Sequence, residues 1–336
     1  MNEQNKENNK PKWQKYLFNV HTLLILIAIC ILGYILIRFK NWGVHVDNNY
    51  IDEHGIYTDG KDTFDVIYPL TNDDGKVIAN KSPHTILFLG NAPFAQDRNS
   101  ENGVVNMIAK QTGATVYNCS VEGSFLAAKS DTLMHTTSGL DVYNFYWLCL
   151  YLILGKEVGY FDWLESLPGG VILPEEKEIR NLLETIDMST VDTIAIMYDA
   201  SDYYAGSMIY DPNAETEVMS FAGNLKAGLE LLRQYYPEVR IIVLSPTYAF
   251  GVEEDGSYVS SDVKIYEGGG TLSSYMMKEC EIAVAANVSF LDNIYGTFDE
   301  DEAPEYLSDE VHLNQKGREL LVKRFIGALT QFDEKK

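Results

Sequence analysis

The feature that most constrains this chain is a series of short, continuous apolar runs, each closed by a polar or turn-forming residue. They are Thr85–Gly90 (TILFLG), Thr115–Asn118 (TVYN), Thr193–Tyr198 (TIAIMY), Arg240–Ser245 (RIIVLS) and Val288–Asp292 (VSFLD). A strand with one wet face alternates apolar and polar residues, whereas a strand covered on both faces need not. Helical patterns lie between the runs, over residues 100–112, 140–154, 175–186, 221–236, 273–286 and 315–329, with Gly113 and Pro237 as stop signals. Buried strands alternating with helices predict a three-layer α/β/α sandwich around a five-stranded parallel sheet, flavodoxin-like, over residues 83–332. The apolar segment 145–154 is too short to span a bilayer. It reads as a buried core helix, with a membrane- or partner-facing surface as the alternative. The 22 tyrosines fit core filling or stacking platforms for sugars, and both readings stay open.

Ahead of this domain the chain changes character. Residues 1–16 are polar and read as a tail. Residues 17–39 carry no charge except Arg38, and as a helix they would cover the roughly 30 Å apolar core of a membrane. Lys6, Lys10, Lys12 and Lys15 precede this run, which places the N-terminus in the cytoplasm and the domain outside the cell. Residues 40–82 read as a connector with short strand-like pieces at 44–46, 65–68 and 76–78, and turn signals at Asp59-Gly60 and Asp74-Gly75. The formal charge of −23 excludes a nucleic-acid partner, whose phosphates want a basic surface. The four cysteines contain no Cys-x-x-Cys pair, so neither a zinc site nor a disulfide framework is indicated.

In open parallel sheets, ligands bind outside the carboxyl ends of the strands. The residues that follow Leu89, namely Gly90, Asn91 and Ala92, are therefore candidates to face a ligand. Three further islands sit at strand ends or before the last helix: Tyr117-Asn-Cys-Ser-Val-Glu-Gly123, Met197-Tyr-Asp-Ala-Ser-Asp202 and Asp309-Glu-Val-His312-Leu-Asn. From Thr85 to its end the chain resembles the SGNH/GDSL hydrolase family, especially membrane-anchored members of Gram-positive bacteria. The Asp-x-x-His pair before a C-terminal helix, followed by HLNQKG, is the most specific match.

The resemblance implies that His312 is a base and Asp309 its orienting partner, and that Gly123 holds the second oxyanion-hole position. It also exposes departures. Ala92 stands where the family has its nucleophilic serine, and Asn91 where it has aspartate. Asp199 replaces a glycine and Ser201 an asparagine, while Asp202 matches. A methyl group cannot attack a carbonyl, so Ala92 removes acyl-enzyme chemistry. Ser201 has a shorter reach than asparagine, and loss of one oxyanion donor costs about a hundred- to a thousandfold. Ser120 and Ser124 are alternative nucleophiles. Asp199, Asp202, Asp309 and His312 carry metal-ligand chemistry without a metal motif, so no metal or cofactor is expected. Gly90, Asn91, Gly123, Asp199, Ser201 and Asp202 are the expected binding residues. The expected function is a degenerate hydrolase-like protein that binds an acylated or carbohydrate ligand, or assists cell-surface polysaccharide modification beside a membrane acyltransferase. The alternative is an active esterase or deacetylase that uses a His312-activated water or another serine.

Overall fold

A computed structural model describes residues 63–71, 76–80, 82–131, 139–155 and 174–333. The predicted tail, membrane helix and first strand-like piece lie outside them. Among the described residues, no helix is long and apolar enough to cross a membrane.

The described residues hold nine strands in chain order: β1 (Leu70–Thr71), β2 (Val77–Ile78), β3 (Thr85–Gly90), β4 (Thr115–Asn118), β5 (Thr193–Met197), β6 (Arg240–Leu244), β7 (Phe250–Val252), β8 (Tyr258–Ser260) and β9 (Ser289–Leu291). β3, β4, β5, β6 and β9 form one sheet in the order β4-β3-β5-β6-β9, parallel throughout. The order turns back once, between β3 and β5. That reversal leaves a crevice beyond their carboxyl ends, because their connections depart to opposite sides. β1 and β2 pair antiparallel, as do β7 and β8.

The longer helices are α1 (Val104–Thr112), α2 (Phe145–Leu154), α3 (Pro174–Thr185), α4 (Phe221–Tyr235), α5 (Leu272–Ala285) and α6 (Gln315–Thr330). Side chains along each strand feed two cores in alternation. Leu87, Leu89, Ile194, Ile196, Ile241 and Val243 pack with α2, α4 and α5 on one face. Ile86, Phe88, Ala195, Met197, Ile242 and Leu244 pack with α1 and α6 on the other. Both faces are dry, which is why the strands read as unbroken apolar runs.

Two predicted helices are shorter than their apolar patterns. Residues 96–103 form turns, and α1 begins only at Val104. The 140–154 pattern divides into a 3-10 turn (Gly139–Tyr143) and α2, because Asn144 interrupts it as an N-cap and accepts from Trp147 N. α2 is a core helix, with Phe145, Trp147, Leu148, Cys149, Tyr151 and Leu152 buried. It lies so close to α4 that a Cβ on Gly228 would sit 2.4 Å from the Phe145 ring. Cys119, Cys149 and Cys280 are free and buried.

Candidate active site

The site is built where β3 meets β5. Gly90 ends β3 with φ +150, and a Cβ there would lie 1.8 Å from the Met197 carbonyl oxygen, so only glycine permits this approach. Asn91 N–H then donates to that same Met197 oxygen at 3.2 Å. The Asn91 side chain is fully buried. Its Nδ2 donates to Asp199 Oδ1 (2.7 Å) and to the Ser124 carbonyl (3.0 Å), and its Oδ1 accepts from Asp199 N (2.8 Å). One amide thus ties together the segments that follow β3, β4 and β5.

Ala92 comes next and opens a single helical turn, Ala92–Ala95. Its methyl is buried. Gly123 sits in a turn with φ +78, a left-handed conformation that favours glycine. Among the described residues neither Ala92 N–H nor Gly123 N–H has a hydrogen-bond partner. Both remain available as donors to a carbonyl or an anion.

The third block is arranged differently from the expectation. Asp199 Oδ1 accepts from Asn91, from Ser201 N (2.9 Å) and from the Ser201 hydroxyl. That hydroxyl is therefore committed to Asp199 and is not a spare oxyanion donor. Asp202 is 1% exposed and accepts from Leu126 N (2.7 Å) and Ala127 N (3.3 Å). It fixes the chain beyond Gly123 and exposes almost none of its own surface. Burial pushes its carboxyl up, against the Ser207 hydrogen bond, the Lys129 charge and the backbone donors. Ser120 and Ser124 are also fully buried, and Ser124 Oγ donates to Val121 O at 2.8 Å. Neither is placed as a nucleophile.

His312 and Asp309 form a dyad just before α6. Asp309 Oδ1 accepts from Val311 N (2.9 Å) and His312 N (2.7 Å), and Oδ2 pairs with His312 Nδ1 at 2.7 Å. A carboxylate held by two backbone donors is a fixed orienting group. With Nδ1 bonded to it, the neutral ring presents Nε2 as its acceptor. Desolvation alone would lower the His312 pKa. The Asp309 hydrogen bond and the charges of Asp309, Asp199 and Glu122 outweigh it and leave the value raised. Tyr204, two residues beyond Asp202, ties the third block to the dyad segment through a hydrogen bond to the Glu310 carbonyl. The Asp309 carboxyl is lowered: burial opposes this, and the backbone donors and His312 overcome it.

Two supports carry no signal in the sequence motifs. Phe250 N–H donates to Glu310 O at 2.8 Å, so β7 braces the dyad segment. Tyr204 OH donates to Phe250 O (2.5 Å) and Glu310 O (3.3 Å). A cavity of about 770 Å³ opens beside Val121 and Glu122, with Gln96, Arg98, Glu175 and Arg318 in its walls. Among the described residues no group of three or more His, Cys, Asp or Glu side chains is placed to hold a metal ion.

Chemically, the dyad can take a proton and the two backbone N–H groups can donate to an acceptor, but nothing at position 92 can attack a carbonyl. A carboxylate at 199 opposes a developing oxyanion.

No protein-family model matches the chain, and no functionally curated protein does. Solved structures do. One matches with a TM-score of 0.52 at 17% identity, over 74% of this chain and 97% of its own length. A protein from Lactobacillus plantarum matches with a TM-score of 0.50 at 16% identity, over 75% and 99%. An acetylxylan esterase from Geobacillus stearothermophilus matches with a TM-score of 0.43 at 15% identity, over 77% and 100%. At these identities the likeness is one of fold, and in its fold and its order of blocks this chain resembles the SGNH/GDSL hydrolases.

Proposed function

We propose that this chain binds an acylated or carbohydrate ligand in the crevice between β3 and β5 and does not turn it over through an acyl-enzyme. The observation that carries this reading is the buried methyl of Ala92 at the nucleophile position, in a chain that keeps the dyad and two N–H donors without a partner among the described residues. The substitutes are withdrawn as well: Ser120 and Ser124 are buried, and the Ser201 hydroxyl is spent on Asp199. The apolar run at 17–39 supports a role at the outer membrane face, as a subunit that presents ligand to a membrane acyltransferase modifying surface polysaccharide.

A second reading draws on the dyad itself. His312 Nε2 has no hydrogen-bond partner among the described residues, so it is open to activate a water. Turnover of p-nitrophenyl acetate separates the two. The wild type is expected at the level of a boiled control, and Ala92→Ser should give a trace. Ala92→Ser with Asp199→Gly and Ser201→Asn should give more, and His312→Ala should abolish that gain. The gains should be non-additive, because the groups act as a unit. Robust wild-type turnover abolished by His312→Ala would overturn the first reading in favour of the second.

A further inference from the structure

The hairpin bonded to the dyad segment has a feature that the dyad does not require. The β7–β8 hairpin turns at Gly256 (φ +83) and pairs Phe250 with Ser260 and Val252 with Tyr258. Phe250 and Tyr258 are thus diagonal neighbours on one face of the ribbon, within reach of aromatic rings. Their rings stack, with centroids 5.3 Å apart and planes 11° from parallel. Tyr258 is nevertheless 53% exposed. Since Phe250 covers one face of its ring, the exposed area is chiefly the opposite face. Tyr258 OH donates to Glu310 Oε2 at 3.3 Å, which holds the ring plane in place.

This face stands beside the dyad. Glu310 directly follows Asp309, and its backbone carbonyl is bonded by Phe250 N–H. A rigid aromatic face next to carboxylate acceptors suits a ring with C–H groups on its flat side and hydroxyls on its rim, which is a pyranose. The local charge selects further. Glu310 bonds the Tyr258 hydroxyl and Asp309 precedes it in the dyad; these carboxylates would repel a carboxylated or sulfated sugar while accepting hydrogen bonds from hydroxyls.

We propose that Tyr258, backed by Phe250, is a stacking platform for an uncharged glycosyl ring and sets a glycan chain against the His312–Asp309 dyad. The proposal rests on the crevice being a ligand site and narrows that ligand to a neutral glycan. An acyl chain would gain nothing from the carboxylates that edge this face.

The test is calorimetric titration of the full-length chain in detergent with cellohexaose, xylohexaose, mannohexaose and N-acetylchitohexaose, and with hexagalacturonate as the charged counterpart. At least one uncharged hexasaccharide should bind, and hexagalacturonate should not. Tyr258→Ala should weaken binding by about tenfold, or ~1.4 kcal/mol, whereas Tyr258→Phe should retain most of it. Failure of every uncharged hexasaccharide to bind the wild type, or equal binding by Tyr258→Ala, overturns the platform. Hexasaccharide binding that survives Tyr258→Ala leaves the crevice a ligand site and removes only the platform. Wild-type ester turnover removes the non-catalytic reading and leaves the platform standing.

Discussion

Asn91 shows how two departures from a family pattern become one interaction. Its amide donates to the Asp199 carboxylate and accepts from the Asp199 backbone. Only a side chain with both a donor and an acceptor does this. Aspartate at 91 would set two carboxylates at the 2.7 Å now spanned by a hydrogen bond, and like charges in a buried site repel strongly. Glycine at 199 would remove that conflict and keep the backbone N–H as donor. Asn91→Asp is therefore expected to destabilise the chain alone and to be rescued by Asp199→Gly. Urea unfolding of the four combinations should give a coupling of about 0.5–3 kcal/mol; additive effects would show that the two positions are independent. Each substitution is visible in the sequence, but their pairing is not, because the residues lie 108 apart. The dyad is legible, since three-residue spacing before a helix is local. The roles of Ser201 and Asp202 are not: spacing says nothing of whether a hydroxyl is already bonded or which way a carboxylate faces.

At the scale of elements, the sheet was readable because continuous apolar strands have one physical explanation, burial on both faces. The β7–β8 hairpin was not readable. Its strands are three residues each, too short to show a period, although Asp255-Gly256 is a turn signal. What joins element ends is equally hidden. His84, just before β3, is 3% exposed and lies between Asp192, just before β5, and Asp333, just after α6, at 3.1 and 3.2 Å. Arg240, at the start of β6, donates to Leu329 O and Ala328 O beside them. Desolvation lowers the His84 pKa, but the Asp192 hydrogen bond and the charges of Asp192 and Asp333 outweigh it, for a net rise. A histidine whose folded value exceeds its unfolded one contributes stability fully below about 6.5. That contribution is lost as pH rises through the folded value. The Tm should accordingly fall as pH climbs through this window. His84→Gln should flatten the fall. Parallel wild-type and mutant curves would show that the clasp does not titrate. Asp65, pushed up to about 6 chiefly by burial, also loses stability with rising pH, so the mutant comparison is what isolates His84.

For the whole molecule, the open question is how a parallel sheet closes its edges. An exposed edge strand is a template for pairing with another chain. β9 is covered by residues that precede Pro83. Val66 bridges Phe290 antiparallel, donating to its carbonyl at 2.9 Å and accepting from its N–H at 2.7 Å. Tyr68 N donates to Ser289 Oγ, and Phe64 N to Asp292 Oδ2. Ile67 fills the core between the sheet and α6. Asp65 goes deepest: its carboxylate meets Arg324 Nη2 of α6 at 2.9 and 3.0 Å and accepts from Asp292 N at 2.7 Å, with both side chains of the ion pair fully buried. Removing one partner of a buried pair leaves an uncompensated charge and costs about 3–5 kcal/mol. A whole domain holds only about 5–15 kcal/mol. Residues 63–68 are thus part of what makes the sheet stable, although their sequence shows only a short strand-like piece between turn signals. A chain beginning at Thr63 should unfold cooperatively in a thermal melt. A chain beginning at Pro83 should lack that transition or melt far lower, because it bares the β9 edge and strands Arg324. Asp65→Ala in the longer chain should reproduce most of the loss, and adding Arg324→Met should recover part of it by removing the stranded charge. Equal melting of the two truncated chains would show that the sheet closes without this segment.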